Sequence, residues 1–444
     1  MNGKEPVWYR GFGRNMRSFF RLFLPGMGIK RWLLLVLAGI TLLGVGLAMF
    51  LLDLYRTDST NPALLTFLAY AALAFLPRPL RVLIFGSLGL GMIGFGIWGM
   101  NRSLLSPFLR PGASLVDKLA EHRRRERGPR AVVIGGGHGL STLLRGMKAH
   151  THNLTAVVTV ADDGGSSGEL RRTMGILPPG DIRNCLAALS NDEALLTQLF
   201  QYRFSGAPGL DGHSFGNLFI SALSEITGSF EEAVAESGRV LSVHGRVLPS
   251  TLHNVRLVAD VQLPYVVNEV RIEGESHIPE AAGRIRRVWL EPNDAPAFPP
   301  VIQAILSAEM IVVGPGSLYT SILPNLLVRD LLAAVRASPA VKIFVCNLAT
   351  QAGETAAYTC YDHVRAVEEH LGDRLFDVVV CNDTYEGRLP DGVRWVEIDE
   401  RARSDGRLYN ADLVDRERPW RHDSTRLSQV LMDLFLERTG PLVG

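Results

Sequence analysis

The hydrophobic pattern of the chain changes character near residue 110. Before it, long apolar runs dominate: Leu33 to Leu52 is twenty residues without a charge, and Val82 to Met100 is nineteen more. Each is long enough to cross a hydrocarbon core as a helix, and the second is rich in glycine, as membrane helices often are. Between them, Pro62 to Leu76 is apolar for only fifteen residues, which suits an interfacial or re-entrant segment. From Arg130 onward the apolar runs shrink to strand length and alternate with segments of helical period, the pattern of a mostly parallel α/β sheet. Three regions follow: a membrane region over 1–110, with spans at about 33–52 and 82–100 and the interfacial segment at 62–76; a juxtamembrane linker over 111–129; and an α/β domain over 130–444.

Within that domain, strands are predicted at Ala131–Ile134, Leu154–Ala161, Lys342–Asn347 and Phe376–Cys381, and another at Met310, just before Gly314. Helical period is predicted over Ser141–His150 and Ser424–Arg438, the latter packing on the sheet. Arg239–Ile272 reads as β-rich, broken at Leu248-Pro-Ser-Thr251, and Arg284–Leu290 adds a further run. These allow either a smaller subdomain or an insertion at the sheet edge.

Charge divides the chain in the same place. Residues 1–127 carry 17 Lys/Arg against 6 Asp/Glu, and the remainder carries 29 against 39. The acidic C-terminal portion argues against a nucleic-acid-binding domain; the basic N-terminal portion suits an anionic membrane surface. Arg10, Arg14, Arg17, Arg21, Lys30 and Arg31 precede the first span, and Arg102, Arg110, Lys118 and Arg123-Arg124-Arg125 follow the last. By the positive-inside rule both ends are cytoplasmic and the number of spans is even, although Arg56, Arg78 and Arg81 in the connection run against it. This predicts a multi-pass protein of the cell membrane with its soluble domain in the cytoplasm. A cleaved signal peptide does not fit, because the first apolar run starts late and has no small-residue cleavage site after it. The four cysteines, Cys185, Cys346, Cys360 and Cys381, contain no Cys-x-x-Cys pair and read as reduced cytosolic thiols.

Candidate chemistry clusters where strands end. Val132-Val-Ile-Gly-Gly-Gly-His-Gly-Leu140 reads as a buried strand turning sharply into a helix, whose N-terminal N–H groups and dipole suit a phosphate. Gly135, Gly136, Gly137, His138 and Gly139 are the candidates there. Asp162 and Asp163, in a Gly/Ser loop after the second strand, emerge at the same edge of the sheet and suit ribose hydroxyls. The glycine spacing departs from a dinucleotide fingerprint, which sets aside an ordinary dehydrogenase. Leu177-Pro-Pro-Gly-Asp-Ile-Arg-Asn184 offers Asp181 as a helix N-cap or as a third carboxylate for a hydroxyl or a divalent metal. It also offers Arg183 for a phosphate and the neighbouring Asn184. Gly212-His-Ser-Phe-Gly-Asn217 opens another helix and contributes His213 and Asn217, with no Ser/His/Asp spacing that compels a hydrolase. Met310 to Leu326 repeats the strand, glycine turn and helix start, with Gly314, Gly316, Ser317, Thr320 and Ser321 as a phosphate nest. Asn347, Thr350 and Gln351 suit a polar pocket wall.

Taken together these motifs resemble a known family. Gly135-Gly-Gly-His-Gly-Leu-Ser, Val160-Ala-Asp-Asp-Gly-Gly-Ser-Ser-Gly168, Leu177-Pro-Pro-Gly-Asp-Ile-Arg-Asn-Cys185, Gly212-His-Ser-Phe-Gly-Asn217, Gly314-Pro-Gly-Ser-Leu-Tyr-Thr-Ser321 and Thr350-Gln-Ala-Gly-Glu-Thr355 are similar, in order, to the YvcK group of gluconeogenesis factors. The wider superfamily contains CofD, the 2-phospho-L-lactate transferase. The resemblance implies a Rossmann-like three-layer sandwich, binding of UDP-sugars such as UDP-N-acetylglucosamine, and a role in carbon metabolism, cell-wall synthesis and cell shape. His138 departs from it, standing where the group usually has Thr.

Two functions are then expected in competition. One is a membrane-tethered regulator that binds a nucleotide sugar without turnover, with the bilayer and the ligand as partners, no nucleic acid, and a homodimer allowed. The other is a CofD-like transferase moving a 2-phospho-L-lactate group from a nucleotide diphosphate to a deazaflavin hydroxyl, with Mg²⁺ held by Asp162 or Asp181 and those two residues as the catalytic candidates.

Overall fold

The strands of the α/β region are short, and those at its centre are buried on both faces, which is what a parallel sheet covered by helices requires. A computed structural model describes residues 30–54, 73, 75–105, 126, 128–190, 194–206, 208–264, 266–281 and 283–440. They belong to two compact units, residues 1–118 and 119–444. Most of the expected interfacial segment at 62–76 and of the linker at 111–129 lies outside the described residues.

In the larger unit the strands are Ala131–Gly135 (β1), Leu154–Val158 (β2), Arg246–Pro249 (β3), Arg256–Gln262 (β4), Val270–Glu273 (β5), Arg284–Glu291 (β6), Met310–Val313 (β7), Val341–Val345 (β8), Val378–Asn382 (β9) and Leu408–Ala411 (β10). Seven of them form a parallel sheet in the order β10-β9-β8-β7-β1-β2-β3. Ala131 pairs with Leu154 on one side and Met310 on the other, so β1, β2 and β7 end at one edge. The chain winds outward from β1 in one direction and from β7 in the other, which puts the right-handed crossovers on opposite faces and opens a crevice between these two strand ends. This is the Rossmann-like arrangement of three layers. Val133, Ile134, Val157, Val312 and Val313 are wholly buried at its centre.

The β-rich stretch divides. Arg246–Pro249 joins the main sheet beside β2, whereas β4, β5 and β6 form a separate antiparallel sheet in the order β5-β4-β6. That small sheet delivers the turn after β5, Glu273 to Ser276, back toward the main sheet. The last helix, Ser424–Thr439, packs on the helix Gly137–Met147 so closely that a Cβ on Gly146 would stand 1.9 Å from the Ser424 carbonyl oxygen.

The smaller unit contains two helices, Lys30–Leu54 and Arg78–Leu105, which cover the predicted spans. Among the described residues one helix is long and apolar enough to cross a membrane, through Leu83–Met100; the apolar described part of the other is Leu34–Val45. The pair meets through small residues. A Cβ on Gly89 would lie 2.6 Å from Leu43, and one on Gly99 would enter the Trp32 ring. Leu34, Leu37, Leu83, Leu90, Phe95 and Trp98 face outward.

Candidate functional site

The first glycine loop is already helix. The helix Gly137–Met147 begins inside it, four residues earlier than the apolar period predicts, with extended Gly136 as the residue before its first turn. Gly136 offers no side-chain cap, and the first N–H of the helix, that of Gly137, is instead taken by the Asp181 carboxylate at the edge of the sheet. Only glycine fits at 139, where a Cβ would stand 2.4 Å from the carbonyl oxygen of Pro315. The loops after β1 and β7 are thereby in backbone contact across the crevice.

Above them lies a cavity of about 460 Å³. Gly136, Gly137, His138, Gly139, Asp162, Asp181, Gly316, Ser317, Thr320 and Ser321 line it, as do Asn347, Thr350 and Gln351. Thr159, Glu275, Trp420, Arg421 and His422 are also part of the wall, and no motif in the sequence points to them. Glu275 has one local signal, a turn of two acids around a glycine, but such turns commonly end strands.

Carboxylates form the floor. Asp181 is not a helix N-cap: it lies within the first turn of Gly180–Leu189, and Gly137 donates its N–H to it. Burial and the nearby Asp162 push Asp181 up to about 6, while the Gly137 N–H and the Arg183 guanidinium pull it back. Asp162 is raised by burial as well, although it accepts bonds from the Gly164 N–H at 2.9 Å and from Ser167. Glu275 is pushed furthest, to about 8, by burial and by Asp162 and Asp181. At neutral pH it therefore carries its proton.

The adjacent Asp163 faces away from the cavity. Its Oδ1 accepts from the N–H of Ser276 at 3.0 Å and from the Ser276 hydroxyl at 2.9 Å, holding the turn that presents Glu275. The Asp-Asp pair thus divides into one acid inside the cavity and one that positions a third.

The glycine turn after β7 is largely satisfied by protein groups. Glu354, buried and raised by that burial, accepts from the Tyr319 N–H at 3.1 Å and the Thr320 hydroxyl at 3.0 Å. Asn347 accepts from the Gly316 N–H at 3.1 Å, and Gln351 donates to Ser317 Oγ at 2.8 Å. Thr355 closes the clamp by accepting from the Gln351 N–H at 3.0 Å. The expected open nest is instead a turn held in shape by the Thr350–Thr355 motif. Gly314, with φ of 82°, takes the sharp bend beneath it and does not line the cavity.

Several expected residues are structural neighbours of the cavity. Ser166 Oγ stands 3.0 Å from His213 Nδ1 and accepts from Asn217 Nδ2 at 3.0 Å, while His213 Nε2 faces Glu169 at 3.2 Å. This network fits the Nε2–H tautomer and fixes the helix start beside Ser167, which in turn bonds Asp162. Arg183 is buried and donates to Asn184 at 2.8 Å; it acts on the cavity through its charge near Asp181. Gly135 ends β1 and accepts from Asn325 at 2.9 Å. Burial, and after it the Arg421, Arg183 and Arg145 guanidiniums, lower the pKa of the His138 imidazole below its ordinary value.

The cysteines depart from the expectation of free thiols: Cys360 and Cys381 form a disulfide, while Cys185 and Cys346 are free and buried.

Comparison with known proteins agrees with this geometry. The profile of the 2-phospho-L-lactate transferase CofD family matches residues 131–414. A gluconeogenesis factor homologue of Nostoc sp. is 50% identical over 380 residues, covering 83% of this chain and 79% of the relative. The gluconeogenesis factor of Bacillus subtilis is 44% identical over 327 residues, covering 70% of this chain and 99% of its own length. A crystal structure of a UPF0052 family protein from Bacillus halodurans superposes with a TM-score of 0.64 at 40% identity, covering 69% of this chain and 99% of that one.

Proposed function

The chain belongs to the CofD family, among its gluconeogenesis factors, and from that premise we propose that it is a membrane-tethered, cytoplasm-facing binding protein for UDP-sugars. In this role it couples carbon metabolism to cell-wall synthesis and cell shape. One observation carries the reading: the helix start at Gly137–Gly139, at the sheet's switch point, faces a cavity of about 460 Å³ whose wall includes Trp420 and Arg421. Its size lies in the range of about 300–1,000 Å³ usual for small-molecule sites. In this reading the diphosphate lies over the helix N-terminus, with Arg421 balancing its charge and Trp420, partly exposed, offering a face to the base. Thr159 and Asp162 meet sugar hydroxyls, and protonated Glu275 donates a hydrogen bond where a carboxylate would repel phosphate. Among the described lining residues no hydroxyl hydrogen-bonds a histidine side chain, which favours binding over nucleophilic catalysis.

The tether rests on the helix pair, with glycines between its members and leucines and aromatics outside, as lipid-facing helices require. The test is a melting curve of the full-length protein in detergent with UDP-N-acetylglucosamine, UDP and free N-acetylglucosamine. A ligand bound only by the folded state raises the melting temperature. The nucleotide sugar should raise it most, and no rise at millimolar concentration sinks the reading.

The carboxylates Asp162, Asp181 and Glu275 favour a second reading, the CofD-like transfer of 2-phospho-L-lactate to a deazaflavin hydroxyl. Three half-buried acids, of which Asp162 raises Asp181 and both raise Glu275, stand close to the first helix turn and suit Mg²⁺, which takes oxygen donors. When bound, Mg²⁺ would neutralise charge on the nucleotide diphosphate. Turnover of a nucleotide-diphosphate donor with a deazaflavin acceptor would establish this reading over the first.

A further inference from the structure

Three of the four cysteines in this chain converge, though they lie far apart in sequence. Cys346 follows β8, Cys360 opens the helix Cys360–Leu371, and Cys381 lies in β9. Their sulfurs all lie within 4.8 Å of one another, and each residue is about 1% exposed. A disulfide joins Cys360 to Cys381 and leaves Cys346 as a free, buried thiol beside them. From this geometry we propose that Cys346, Cys360 and Cys381, in their reduced form, are a three-thiolate site for Zn²⁺.

The backbone holds the three ligands in place before any metal arrives. Cys346 donates its N–H to Val380 O at 2.9 Å, and Cys360 donates to Glu397 O at 2.9 Å. Cys381 sits in the β9–β10 ladder opposite Asn410. A Zn–S bond of about 2.3 Å puts paired sulfurs about 3.8 Å apart in a tetrahedral site, inside the span observed here. The Cα atoms of Cys360 and Cys381 are 6.7 Å apart, at the wide end of what a disulfide bridges. Soft sulfur donors select zinc over Mg²⁺ or Ca²⁺.

Charge points the same way. Cys360 stands in the first turn of its helix, where the dipole favours negative charge. The site is one residue from the ligand cavity, because Asn347 follows Cys346 and grips Gly316 through both its N–H and its carbonyl. The His422 side chain, a cavity residue, hydrogen-bonds Cys346 O at 3.2 Å. Zinc would therefore brace the floor of the cavity.

Opening the Cys360–Cys381 bond takes two electrons and two protons. A trialkylphosphine supplies the electrons and leaves as its oxide, with oxygen and protons from water; Zn²⁺ then displaces three thiol protons. The experiment uses full-length protein reduced in this way, freed of reductant without air, and titrated with Co²⁺ and then Zn²⁺. One Co²⁺ per chain is expected, with sulfur-to-cobalt charge-transfer absorption that Zn²⁺ abolishes and that Cys346→Ser lacks. X-ray absorption of the zinc form should count three sulfur neighbours. Absence of the charge-transfer band, undiminished binding by Cys346→Ser, or two or fewer sulfurs overturns the proposal. If Cys346→Ser does not fold, the sulfur count on the unmodified protein decides alone.

Discussion

Asp163 and Ser276 lie 113 positions apart in the chain, and two hydrogen bonds of 3.0 and 2.9 Å join them. Through this contact the small antiparallel sheet holds Glu275 against the floor of the main sheet's cavity. Replacing Asp163 by Ala removes two bonds to a charged acceptor, each worth about 1.5–3 kcal/mol. Urea unfolding should show Asp163→Ala destabilised by at least one such bond, and UDP-sugar binding should weaken although Asp163 does not line the cavity. Unchanged affinity would mean that the turn holds its position by other contacts.

The raised carboxylates make stability depend on pH in a defined direction. An acid whose pKa is higher in the folded state contributes stability that is complete below its unfolded pKa and is lost as pH rises through the folded value. For Asp181 and Glu275 these folded values are about 6 and about 8. Melting temperature should therefore fall between about pH 4 and pH 8 from these groups. Glu275→Gln should flatten the upper part of that fall. If Mg²⁺ occupies the cluster, it should raise the melting temperature more near pH 9 than near pH 6, because protons no longer compete.

Glu354 satisfies the Tyr319 N–H and the Thr320 hydroxyl from a buried position. Glu354→Ala leaves those donors unpaired, at about 1–3 kcal/mol each. Glu354→Gln keeps an acceptor and should cost less. A denaturant series on the two variants checks the order; equal stability would refute the clamp.

At Gly139 a Cβ would press against the Pro315 carbonyl oxygen. Gly139→Ala should cost about 1–3 kcal/mol through overpacking and part the two loops that flank the cavity. The expected result is a ligand dissociation constant raised at least about tenfold, equivalent to about 1.4 kcal/mol, measured by calorimetry.

The proposed tether places Gly444 in the cytoplasm. A green fluorescent protein fused there should glow, and an alkaline phosphatase fused there should stay inactive. The reverse pair of results would rule out a two-span topology.

Much of this protein is readable along the chain because its physics is local. The runs Leu33–Leu52 and Val82–Met100 are written as length and apolarity, and they lie within helices Lys30–Leu54 and Arg78–Leu105. The strand at Ala131 and its glycine turn are written as an apolar run meeting residues that permit close approach, and the order of such units specifies a parallel sheet. Other features depended on long-range contact. Asp162 and Asp163 are equivalent as text, and only the arrival of Ser276 from another sheet assigns one to the cavity and the other to a buttress. The Gly316–Thr320 turn reads as an anion nest until Glu354 and Asn347 are seen to fill it. Cys346, Cys360 and Cys381 look scattered because their spacing carries no signal; the pairing of β8 with β9 and the packing of one helix bring their sulfurs together. Local pattern sets which elements form, whereas pKa values, hydrogen-bond partners and metal geometry arise from groups that meet only after folding, so tertiary structure alone decided them.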